Sequence, residues 1–91
     1  MGDVSKKVLF LDQYDDDLAR LAWNEQKVYD IRILDMSDVE KVEAEYKQVL
    51  SEYEHRPMMY ALDTRLPQRL SGKVQKLSKM DFLMMLDPDN F

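Results

Sequence analysis

The sequence predicts a small α/β domain, a two- or three-layer βαβαβα(β) arrangement around a short, mainly parallel sheet. Three observations carry this. Four short apolar runs each end in Leu-Asp: Val8–Leu11 into Asp12, Ile31–Leu34 into Asp35, Met58–Leu62 into Asp63 and Phe82–Leu86 into Asp87. The segments between them carry helical spacing. The 91 residues, 45% hydrophobic and 34% charged, are too apolar for a disordered chain and suffice for one domain, 1–91, with one modest core.

Lys7–Leu11 is almost wholly apolar, as befits a central strand covered on both faces. Asp15, Asp16 and Asp17 then stand where a helix N-terminus favours negative charge. Leu18, Leu21 and Ala22 give a helix over about 15–26, with Trp23 off that line. Val28–Leu34 alternates: Tyr29, Ile31 and Ile33 share one face, while Asp30 and Arg32 share the other with Val28 and Leu34. The polar pair marks a less buried strand, as at a sheet edge. Ser37-Asp38-Val39-Glu40 has capping-box form. Val39, Val42, Tyr46, Val49 and Tyr53 continue as a helical stripe to about Glu54. Pro57 ends that helix, and Met58–Leu62 is the third strand. Pro67 suits a first helical position, so Leu66, Leu70, Val74 and Leu77 predict a third helix, weakened by Gly72. Phe82–Leu86 reads either as a fourth strand or as a helix capped by Ser78.

Cysteine is absent, which removes disulfides, thiolate metal sites and thiol nucleophiles and suits a cytoplasmic protein. No apolar run reaches the ~18 residues that span a bilayer, so no membrane association is expected. The formal charge is −5, unevenly spread. Of 13 basic residues, Arg65, Arg69, Lys73, Lys76 and Lys79 fall within 65–79, which holds no acid; the other 8 face all 18 acidic residues. An acidic body with one basic segment opposes direct nucleic-acid binding and favours a steered protein contact.

No nucleophile elbow, glycine-rich phosphate loop or HExxH pattern occurs, and the lone His55 follows a helix end. No catalytic residue is assigned, and the chain is not expected to be an enzyme. Candidate chemistry rests on Asp12, Asp15, Asp16, Asp35 and Asp63. Carboxylates at strand ends offer the oxygen ligands that Mg²⁺ needs, and Asp12, Asp15 and Asp63 are the metal candidates. The same positions are also where Asp caps a following helix. Otherwise no cofactor is expected.

Asp63-Thr64-Arg65-Leu66-Pro67 resembles the phosphoacceptor segment of receiver domains of two-component signalling, in which Pro follows the Asp four residues later. The resemblance implies that Asp63 accepts phosphate and that Asp12 or Asp15 holds Mg²⁺. The chain departs from that pattern. Gln13 and Tyr14 separate Asp12 from Asp15, and Leu86-Asp87 lacks the hydroxyl residue expected after strand four.

The leading expectation is a small acidic interaction module that binds and modulates, or inhibits, a partner protein. The residues assigned to partner binding are Trp23, Arg65, Arg69, Lys73 and Lys76. Tyr53, Met84, Met85 and Phe91 could extend an apolar surface near Trp23. Two alternatives stand beside it: a degenerate receiver-like or Mg²⁺-binding domain using Asp12, Asp15 and Asp63, and an acidic inhibitor of a nucleic-acid-handling protein. The Val39–Tyr53 stripe leaves homodimerisation open.

Overall fold

The computed structural model describes residues 6–86. Strand β1 (Lys7–Asp12) buries Val8, Leu9, Phe10 and Leu11 in succession. A strand with no polar face is stable only between two covering layers, and β1 occupies such a place. It pairs in parallel with β2 (Tyr29–Leu34) on one side and with β3 (Met59–Leu62) on the other. β4 (Gln75–Leu77) joins β3, giving an all-parallel sheet in the order β2-β1-β3-β4. β2 is therefore an edge strand, as its alternating Asp30 and Arg32 predict.

Helices cover both faces, so the domain has three layers. On one face Val8 and Phe10 pack with Met59 and Ala61 beneath Val42, Tyr46 and Val49 of α2 (Val39–Glu52). On the other, Leu9, Leu11, Tyr60 and Leu62 meet Leu18 and Ala22 of α1 (Asp16–Trp23) and Phe82 of α3 (Lys79–Leu86). The Val39–Tyr53 stripe is thus largely spent on the core: Val42, Tyr46 and Val49 are buried, while Val39 and Leu50 lie outside it. Among the described residues no helix is long and apolar enough to cross a membrane.

One local cap differs from expectation. Asp38, not Ser37, caps α2 by accepting the Lys41 N–H. Ser37 instead donates its backbone N–H and its hydroxyl to Asp35 Oδ1, closing the turn after β2. Those bonds hold the Asp35 carboxyl below its ordinary pKa.

The last third departs further. The helix predicted over 66–77 does not form. A single 3-10 turn (Gln68–Leu70) follows Pro67, Ser71 bridges Val74, and Gly72 adopts φ +92°, which no helix tolerates. Leu70 and Val74 are still buried on the α2 face, so the apolar spacing was real but is served by a loop and a strand. Phe82–Leu86 lies in a helix rather than a fourth strand, with Ser78 Oγ accepting the Asp81 N–H at its start. Asp87 and Phe91 lie outside the described residues.

Candidate functional site

The densest polar cluster lies on β2. Residues Asp30 and Arg32 project from the same strand face, toward α2. Arg32 donates from Nε and Nη2 to the two oxygens of Asp30 at 2.8 and 2.7 Å, a bidentate pair. Its Nη1 reaches Glu45 at 2.7 Å, and Nη1 and Nη2 both reach Glu52, at 3.2 and 3.0 Å. These bonds use all the N–H groups a guanidinium has. Tyr53 adds a hydroxyl donated to Asp30 Oδ2 at 2.6 Å. Burial alone would raise the Asp30 pKa, but the hydrogen bonds from Arg32 and Tyr53 outweigh it and hold the carboxyl below its ordinary value. Burial, reinforced by the bond to Asp30, pushes the Tyr53 hydroxyl up to about 12. One cation among three carboxylates leaves the cluster two charges negative.

The same strand edge borders two grooves. One, about 630 Å³, is lined by Lys6, Trp23, Tyr29, Arg32, Glu54 and His55 among others. The second, about 650 Å³, lies between Ile33 and the Asp16, Ala19, Arg20 and Trp23 face of α1. Trp23 is common to both and is half exposed, at 50%, with Ile33 at 42%. α1 ends at Trp23, which lines both grooves beside β2. Tyr53 is half-buried against the α2-side core and Met85 against the α1 side; Met84 is exposed on α3.

A different cleft, about 510 Å³, opens at the C-terminal ends of β1 and β3, where the strand order reverses direction. Ligands of open α/β sheets bind at such a switch point. Asp12, Tyr14, Asp15, Asp16, Asp17 and Asp63 line it, so the three aspartates assigned to metal do share one cleft. Two of them also serve the backbone. Asp15 accepts the Leu18 N–H at 3.1 Å as the α1 cap, and Asp12 accepts the Tyr14 N–H at 3.2 Å. Asp63 holds φ +49°, its N–H donated to Leu77 across β4 at 2.7 Å. Among the described residues, no three carboxylates or other ligating side chains converge closely enough to hold one ion. Asp35 follows the outer strand β2 and is absent from the cleft lining.

The basic residues lie elsewhere. Arg65 and Arg69 follow β3, Lys73 precedes β4 and Lys76 lies in it, at the sheet edge opposite β2. Arg69 reaches Glu43 at 3.6 Å, and its own side chain is 85% exposed. Trp23 and the four basic residues therefore belong to two separate surfaces. No family model, curated protein or solved structure matches the chain. Sequence reasoning missed the Arg32 cluster because its partners come from residues 45 and 52, far along the chain. The signal available was the charged pair Asp30/Arg32 on one strand face.

Proposed function

We propose that the protein is a non-enzymatic interaction module that binds, and so modulates, a partner protein through the free edge of β2. The observation that supports this is Trp23, half exposed beside an edge strand and shared by two adjoining grooves. A large aromatic side chain left at that exposure beside a concave surface is the usual anchor of a protein contact. The acidic balance of the chain would steer a basic partner toward it, a nucleic-acid-handling protein being one class that fits. The test is capture from a lysate of the source cells on immobilised protein. Proteins held by the wild type are expected to be lost with Trp23→Ala and kept with Lys73→Ala/Lys76→Ala at the opposite edge. Trp23→Ala should change stability by no more than about 1 kcal/mol, since the side chain is half exposed. Capture indifferent to Trp23 overturns the reading.

A second reading has its own support. Asp12, Asp15 and Asp63 line one cleft. Because β4 is Gln75–Leu77, the residue after strand four is Ser78, a hydroxyl residue at the position where the receiver-domain resemblance expects one, although it is not in the cleft lining and its Oγ caps α3. On this reading Asp63 accepts phosphate with Mg²⁺ held beside it. An ion that binds only the folded chain raises its melting temperature. Millimolar Mg²⁺ is then expected to raise it in the wild type and not in Asp12→Asn or Asp63→Asn. An unchanged wild-type melt removes this reading.

A further inference from the structure

We infer that the outer edge of β2 takes up an extended segment of the partner as a fifth strand, and that this segment alternates basic and apolar residues. The inference rests on the interaction reading above and names the chemistry of the partner.

The backbone sets the first requirement. The Gln13 N–H donates to the Leu34 carbonyl at 2.9 Å, so Leu34 turns its peptide groups toward β1. Strand alternation then turns Asp30 and Arg32 the same way and aims the N–H and C=O of Ile31 and Ile33 outward. At the start of that side the Tyr29 N–H is taken by the Glu25 carbonyl at 2.9 Å, whereas no described residue pairs with the backbone of Ile31 or Ile33. A row of outward peptide groups is satisfied best by another extended chain.

The two sheet faces set the second requirement. Side chains of an added strand would alternate between them. On the α1 face they would meet Trp23, Ile33 and Ala19, which favour an apolar residue. On the α2 face they would meet the rim of Asp30, Glu45 and Glu52, with Glu54 beside it. Arg32 cannot answer that charge for an incoming chain, because its N–H groups are already used within the cluster, and Lys6 in the same groove offsets only part of what Asp30, Glu45, Glu52 and Glu54 leave. Lysine or arginine on the incoming strand fits there. A second copy of this chain fits poorly, since pairing β2 with β2 would bring two negative clusters together in a chain of net charge −5.

Trp23 is the single tryptophan, so its emission reports directly on the site. The probe is a short end-blocked peptide of alternating lysine and valine, compared with one of alternating glutamate and valine. The lysine peptide is expected to give a saturable blue shift of Trp23 emission and slowed amide exchange at Ile31 and Ile33. The glutamate peptide is expected to give neither. Ile33→Pro removes an outward donor while leaving the inward pairing of β2, as edge strands allow. It should weaken binding about tenfold, with Ile33→Val close to wild type. Glu54→Lys should weaken it several-fold, and added salt should do the same.

A response equal for both peptides, or none for the lysine peptide, overturns this inference, as does sedimentation showing a wild-type dimer that Ile33→Pro dissociates. If Trp23-dependent capture of a partner persists in that case, the interaction reading stands with a different mode of docking. If capture is also lost, both fall together.

Discussion

Phe82→Ala will remove about 4 kcal/mol of stability. Phe82 is fully buried and is the side chain by which α3 enters the core on the α1 face. Its ring stands edge-on to Tyr29, centroids 6.0 Å apart, so truncation also strips the cover from the first residue of β2. Domains of this size have about 5–15 kcal/mol in total, so the variant keeps a fraction of its stability. A fall of about 20 °C in melting temperature follows from the entropy of unfolding of so short a chain. Met84→Ala, two residues on and exposed, is the control and should stay within about 0.5 kcal/mol. Urea and thermal unfolding followed by circular dichroism measure both. A Phe82→Ala variant within 1 kcal/mol of wild type would mean that α3 does not hold the sheet.

That prediction falls where the sequence was ambiguous, and the reason is physical. β1, β2 and β3 were legible because a continuous apolar run, or one alternating with charge, reports directly how many faces of a strand are wet. α2 was legible because its stripe persists over several turns. Residues 66–77 carry an equally good helical spacing, yet Gly72 at φ +92° and the short 3-10 turn break it. Leu66, Leu70 and Val74 reach the α2 layer through a loop, while Leu77, in β4, turns to the α1 face. Periodicity records which residues face the core, and over a short span a bent chain can satisfy it as well as a helix. Displacing strand four from 82–86 to 75–77 also changed which residue follows it, from Asp87 to Ser78.

The site was partly legible for a similar reason. Strand-end aspartates can be placed on one sheet edge from sequence, but whether Asp35 joins Asp12 and Asp63 depends on strand order. With β2 outermost, Asp35 follows the edge strand and is no part of the cleft lining. Trp23 and the basic residues 65–76 were grouped by chemistry, and the same strand order sends them to opposite edges of the sheet. Contacts among residues 30, 32, 45, 52 and 53 are long-range and leave no local pattern beyond a charged pair on one strand.

Arg32→Leu will therefore cost more than an ordinary surface ion pair, about 2 kcal/mol, and its cost will depend on pH in a defined direction. The guanidinium side chain is 15% exposed and Asp30 22%, which places the pair between the buried and the solvent-screened limits. Removing the cation leaves Asp30, Glu45 and Glu52 facing one another without a counter-charge. In the wild type the folded-state pKa of Asp30 lies below its unfolded value. The stability it contributes is present above the unfolded pKa and is lost as pH falls through the folded one. In Arg32→Leu the balance reverses: burial and the neighbouring carboxylates raise the Asp30 pKa, so protonation relieves the folded state instead of weakening it. The gap between wild type and variant should be widest near neutral pH and should narrow as pH falls, closing only below the unfolded carboxylate range, where Asp30 of the wild type is protonated too. Asp30→Asn/Arg32→Leu should recover part of the loss at pH 7, because one of the unpaired charges is gone. Chemical denaturation across the acid range measures this directly. A gap that stays constant from neutral pH to below the carboxylate range would show that Arg32 acts through packing of its aliphatic stem and not through the charges around it.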